Sequence, residues 1–269
     1  MNRLDAIKLS QPKGSDAGGA GLLGAGDPDP VEIRHAQSPA PMFLLCEHAG
    51  RAVPRALNGL GLPAGAIDGH IGWDIGAASL ACAISDRLRC PLILQNYSRL
   101  VMDCNRPPLS AGSVPVHSDG VGVPGNLGLG KEDHDHRRQA IFDPMNDAIV
   151  AMFDAHPRKA VFSIHSYTRH FQGAERPWDA GFLTRDDTEA AHHLMGAIAT
   201  AAPELKLAIN EPYQIDDESD WFIPRHAEVR GMRHTLIEVR NDHLQDHAGI
   251  ERWADLLAPA IQTVLERTA

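Results

Sequence analysis

From residue 41 onward, short runs of consecutive apolar residues alternate with longer stretches whose apolar positions recur every three or four residues. Met42–Cys46, Leu92–Gln95, 160–164, 205–209 and 234–239 are runs of the first kind, short enough for buried strands. Residues 70–88 show the second pattern, with Ile71, Ile75, Ala78, Leu80, Ala83, Ile84 and Leu88 at helical spacing. The same reading predicts helices over 134–156, 187–201 and 246–267, with Pro144 kinking or breaking the first of these. Asp187 and Glu189 fall in the first turn of the second, and Pro203 lies beyond its end. Residues 107–130, rich in Gly, Pro and Ser, read as a long surface loop, and a loop that long in a compact domain is usually functional. Strands alternating with helices predict one α/β layer sandwich.

Residues 1–40 differ. The glycine-rich stretch 14–21 is flexible in composition, and Asp27-Pro28-Asp29-Pro30 cannot hold a helix. The expectation is a flexible N-terminal arm over 1–40 and a single catalytic domain over 41–269.

Composition narrows the classes. The 269 residues are 43% hydrophobic and 22% charged, ordinary values that permit a sizeable core. A formal net charge of -10 and only 5% aromatic residues argue against a nucleic-acid partner. No apolar run is long enough to span a bilayer, so no membrane association is expected. Cys46, Cys82, Cys90 and Cys104 form no C-x-x-C pair and read as reduced structural cysteines, which fits a cytoplasmic protein.

Several polar residues stand where strands end. His48 follows the first run, His165 follows 160–164, and Glu238 lies inside 234–239. In open α/β folds the carboxyl edge of the sheet is where ligands bind. Two histidines and a carboxylate, with a second carboxylate as base, are the inventory of a hydrolytic zinc site. Asp74, in Gly72-Trp73-Asp74-Ile75-Gly76, is a candidate carboxylate, although Asp is also favoured near a helix start. Arg99 and Arg106 can grip a substrate carboxylate, with Asp103 and Asn105 orienting them. A glutamate within a buried strand is costly unless paired or near a metal, which makes Glu238 the candidate general base; pairing with Arg240 on the same strand face stays open. His134-Asp135-His136 reads as a solvated helix start. G-x-S-x-G, Walker A and G-x-G-x-x-G motifs are absent from the sequence.

Taken together, Glu47-His48-Ala49-Gly50, Gly72-Trp73-Asp74-Ile75-Gly76, Tyr97-Ser98-Arg99, Asp103-Cys104-Asn105-Arg106, Ile164-His165-Ser166 and Ile237-Glu238-Val239-Arg240 resemble the N-formylglutamate amidohydrolase family. The resemblance runs from about residue 42 to the C-terminus. It implies a phosphorylase/hydrolase-like, zinc-carboxypeptidase-like fold: three α/β/α layers around a central mixed sheet. It also implies one Zn2+ ion and hydrolysis of an N-formyl or other N-acyl amino acid to a free amino acid and a carboxylate. On that resemblance His48, Asp74 and His165 hold the metal, Glu238 is the general base, and Arg99 or Arg169 steadies the developing oxyanion. Arg106, with Asn105 and Arg169, binds a carboxylate-bearing small molecule. Typical members carry Pro-His-Ser-Gly at the first histidine, and the wider carboxypeptidase pattern places a glutamate where Arg51 stands here. Asp74 is therefore the preferred third ligand and Glu47 the alternative. A zinc peptidase acting on short peptides and a metal-free small-acid binding protein are the competing readings.

Overall fold

Three parallel strands bring the candidate residues to one edge of a sheet. The computed structural model describes residues 21–266. Its central sheet has seven strands in the order β1-β3-β2-β6-β11-β9-β10. These are β1 (Val31–Arg34), β2 (Met42–Cys46), β3 (Leu92–Gln95), β6 (Ala160–Tyr167), β9 (Ala180–Leu183), β10 (Leu207–Ile209) and β11 (Arg233–Arg240). β3, β2, β6 and β11 run parallel, whereas β1 and β9 each pair antiparallel with their inner neighbours, so the sheet is mixed. Two small hairpins lie outside it: β4 (His117–Ser118) with β5 (Val121–Gly122), and β7 (His170–Phe171) with β8 (Ala174–Glu175).

The central strands are buried on both faces, which is why they read as continuous apolar runs. Alternate residues of each strand serve different layers. Leu44, Phe162 and Ile237 pack with helices α1 (Ala77–Leu88), α4 (Thr188–Ala201) and α5 (His247–Glu266). Phe43, Leu45, Val161 and Leu236 pack on the opposite face with Ile149 and Met152 of α3 (Asp143–Ala155). The three layers implied by the resemblance are present. Continued toward the carboxyl ends of β6 and β11, the same alternation puts His165 and Glu238 on the α3 face.

The departures have local causes. The helix expected from residue 70 begins only at Ala77, because Gly76 has φ +82°, which a right-handed helix cannot include. The preceding stretch instead passes just beyond the end of β2, where the Asp74 N–H donates to the His48 carbonyl at 3.0 Å. The helix expected over 134–156 is present from Lys131 to Ala155 without a break, α2 (Lys131–Arg137) and α3 being joined by a π-turn at Arg138–Phe142. Pro144 has no N–H to donate, and the ladder is rearranged into the π-turn directly before it. His134 and His136 lie on α2 at the surface, as expected of a solvated helix start. β6 continues three residues past 164, so His165 is inside the strand. β9, Ala-Gly-Phe-Leu, escapes a reading by periodicity because it is short and begins on small residues. Gly181 is required there, since a Cβ would meet the Glu211 carbonyl oxygen at 1.5 Å.

The expected flexible arm is corrected over its second half. Val31–Arg34 pairs with β3 as an edge strand, and the Tyr97 hydroxyl donates to the Pro28 carbonyl at 2.7 Å. The other half of that expectation, residues 1–20, lies outside the described residues. No helix is long and apolar enough to cross a membrane among the described residues.

One buried histidine of this core gives a pH prediction. His226 Nε2 donates to Asn146 Oδ1 at 2.9 Å, and its Nδ1 has no hydrogen-bond partner among the described residues. Burial, and secondarily Arg230, pushes its pKa down from 6.5 to about 4. The fold therefore favours the neutral ring: its stabilisation is complete above pH 6.5 and is lost as pH falls toward and through 4. Denaturant melts of the wild type should weaken across that window by about 3 kcal/mol more than those of His226→Gln. Equal slopes in the two proteins would remove His226 from the account.

Candidate metal centre

Three acceptor atoms converge at the carboxyl ends of β2 and β6. His48 lies two residues past the end of β2, His165 lies near the end of β6, and Asp74 comes from the loop before α1. His165 Nδ1 is 2.8 Å from Asp74 Oδ2 and 3.1 Å from His48 Nδ1, and His48 Nδ1 is 3.4 Å from Asp74 Oδ2. All three residues are at least 95% buried. The imidazole planes meet at 77°, so the rings are steeply inclined rather than stacked.

The far side of each ring is tied to a carboxylate. His48 Nε2 bonds Asp103 Oδ1 at 2.8 Å, and His165 Nε2 bonds Glu47 Oε2 at 3.0 Å. Carboxylates there favour the Nε2–H tautomer and leave both Nδ1 lone pairs facing Asp74. Two lone pairs and a carboxylate oxygen so close together repel one another unless a cation or a shared proton lies among them. Their separations also suit metal–ligand bonds of about 2.0–2.1 Å in tetrahedral array, which set ligand atoms about 3.3 Å apart. On both counts the residues fit a divalent ion. Among the described residues they are the only group of this kind.

The electrostatics agree. Burial disfavours charge on every group here, yet Glu47 and Asp74 outweigh it and hold the His165 pKa well above its ordinary value. Burial likewise opposes ionisation of Asp74, but the two histidines hold its carboxyl well below the usual range. Glu47, Asp74, Asp103 and Glu238 are four acids against two arginines: Arg99, which bonds Asp103 at 2.8 Å, lies 3.5 Å from Asp74 and 3.2 Å from His48 Nδ1, and Arg106, 3.8 Å from Asp103. The centre is built to hold further positive charge.

Glu238 stands beside this group. Its Cα is in register with His165 on one side and Gly181 on the other. Its Oε2 is buried without a hydrogen-bond partner among the described residues. Burial raises its pKa to about 7, with Asp74 adding to the rise and His165 opposing it. Arg240 does not pair with it; that guanidinium is taken by Asp179 and Asp242. A cavity of 850 Å³ opens in front of the group, walled in part by Arg99, Arg106 and Arg176.

The remaining sequence candidates divide. Glu47, the alternative third ligand, lies behind His165 and receives a hydrogen bond from Ser163. Arg106 lines the cavity, donates to the Ser219 carbonyl and faces Asp103 at 3.8 Å. Asn105 also lines it, but its amide holds the wall, through Asp220 Oδ1 at 3.1 Å and the Phe222 N–H at 3.3 Å. Arg169 is a correction. It is half exposed, paired with Glu175 across the β7–β8 hairpin, and is not among the residues lining the cavity. Arg176 reaches the cavity instead. A two-residue turn, Gln172-Gly173, with φ +50° and +81°, folds the chain back on itself, and x-Gly between short strands was the available signal. The link from Asp103 to His48 also went unread.

Over residues 40–244 the chain matches the model of a family described as N-formylglutamate amidohydrolase. The chain belongs to this family. Among solved structures it is similar to gene product Atu2144 from Agrobacterium tumefaciens, at 30% identity and TM-score 0.86, covering 92% of this chain and 99% of that one. It shares a fold with an N-formylglutamate amidohydrolase from Ralstonia eutropha JMP134, at 15% identity and TM-score 0.61, covering 89% of this chain and 98% of that one. No curated protein matches it.

If the converging atoms bind a divalent ion, purified His165→Ala should carry little metal by elemental analysis. Glu47→Gln should still fold and bind it, but about 10- to 100-fold more weakly, the usual loss when a ligand's supporting partner is removed. Full metal retention by His165→Ala would break the site.

Proposed function

We propose that the chain is a zinc-dependent hydrolase that cleaves the linear amide of an N-formyl or other N-acyl amino acid, N-formyl-L-glutamate or a close analogue, to the free amino acid and a carboxylate. The observation that carries this reading is the approach of His48, Asp74 and His165 within 3.4 Å of one another, with unpartnered Glu238 alongside, in a member of this family.

His48, Asp74 and His165 would hold the ion. Zn2+ supplies a Lewis acid and a water of lowered pKa in such a setting. Glu238 accepts a proton from the attacking water and returns it to the departing amine. Its poise near neutrality suits both halves of that exchange. Arg99, fixed by Asp103, directs positive charge at the acyl oxygen as it gains electrons. Arg106 binds a carboxylate of the substrate, and Asn105 keeps the 219–222 segment behind it in place. Asp103 and Glu47 keep the histidine rings from turning.

Glu238→Gln should retain the metal and lose roughly two to four decades of turnover on N-formyl amino acids. A mutant of near-normal rate would take Glu238 out of the role. Assaying formyl-, acetyl- and succinyl-amino acids alongside dipeptides separates the acyl-amino-acid hydrolase from a peptidase. A purified protein with neither metal nor turnover would favour a small-acid binding protein on the same fold.

A further inference from the structure

Each arginine of the cavity has a different relation to negative charge. Arg99 is matched by Asp103 and Asp74. Arg106 shares its field with Asp103, Asp216 and Asp220. Arg176 has no carboxylate partner among the described residues, although it is 8% exposed and lines the same cavity.

It is nevertheless rigidly held. Its guanidinium carbon lies 5.0 Å from the ring centre of Tyr167, 4.9 Å from Phe171 and 5.4 Å from Tyr213. Nε donates to the Thr168 carbonyl at 2.8 Å, Nη2 to Thr168 Oγ1 at 2.7 Å, and Nη1 to the Tyr213 hydroxyl at 2.7 Å. A guanidinium has five N–H donors, so one on each Nη remains for a ligand. Three rings and three neutral acceptors steady the cation without cancelling its charge. A buried charge left in that state is costly, and an anion entering the cavity relieves the cost.

Position adds to this. Tyr167 follows His165 by two residues on the same face of β6, about 7 Å along the strand. The cage therefore begins one amino-acid side chain's length from the candidate metal centre.

We propose that Arg176, caged by Tyr167, Phe171 and Tyr213, is a specificity-determining clamp for one of two carboxylates on the substrate, the other being held at Arg106. The proposal rests on the reading above, whose N-formyl-L-glutamate already carries two acid groups, and it assigns the second of them to Arg176.

The test compares N-formyl-glutamate with its two monoamides, one amidated at the α-carboxylate and one at the side chain. kcat/KM is measured for the three, and calorimetric binding for glutamate and its two monoamides. The wild-type protein should prefer the diacid to either monoamide. Arg176→Met should lose about a hundredfold of that preference against one monoamide and keep it against the other, because loss of one partner of a buried charge pair matters only for ligands that carry the other. Tyr213→Phe, which removes only a hydroxyl, should lower the same preference several-fold and covers the case in which Arg176→Met does not fold. Preferences left unchanged in the folded variants overturn the clamp, as does a wild type indifferent to the second acid group. A protein that binds glutamate in the predicted order yet hydrolyses no formyl compound would refute the amidohydrolase reading and leave the clamp standing.

Discussion

Two imidazole nitrogens and a carboxylate oxygen buried within 3.4 Å of one another are the constraint around which this molecule is arranged. Like-natured acceptors do not gather in a low-dielectric interior unless something positive holds them or the fold compels them. Here the fold compels them. β2 and β6 lie side by side and parallel, so the chain leaving one and the end of the other are neighbours. The loop that would otherwise extend α1 is turned by Gly76 so that Asp74 closes the group. The stability of the sheet, supplied by apolar packing on both faces, supports an arrangement that would not form by itself.

Behind that group the polar network is layered by charge. Glu47 and Asp103 fix the outer nitrogens of the histidines, and Arg99 ties Asp103 to the cavity. Glu238 is the exception, a carboxylate whose pKa burial raises in a site where Glu47, Asp74 and Asp103 are held ionised. Carboxylates whose surroundings push their pKa values apart are suited to different tasks, one binding charge and one carrying protons.

The cavity wall comes from segments that a reading by periodicity treats as punctuation. The 107–130 loop forms one side, and the β7–β8 hairpin, through its Gln172-Gly173 turn, delivers Arg176 to another. Arg169 and Arg176 are both arginines close after His165 in the sequence. The direction of one short hairpin decides which of them meets solvent and which lines the cavity.

The sequence by itself determined the central strands and the chemistry they carry. β2 and β3 are found where the apolar runs lie, because a strand buried on both faces must be apolar throughout. His48, His165 and Glu238 stood out because polar residues near the ends of such strands are costly unless used. The family was legible from six short motifs in order. The tertiary structure decided what depends on distant segments meeting. It placed Asp74 among the histidines and Glu47 behind one of them, a choice left open by two nearby carboxylates in the sequence. It made an edge strand of Val31–Arg34, whose place depends on β3, about sixty residues away. It put Arg176, and not Arg169, on the cavity wall. Local pattern reports what each residue must avoid, whereas partners separated by tens of residues are selected only by the geometry of the assembled sheet.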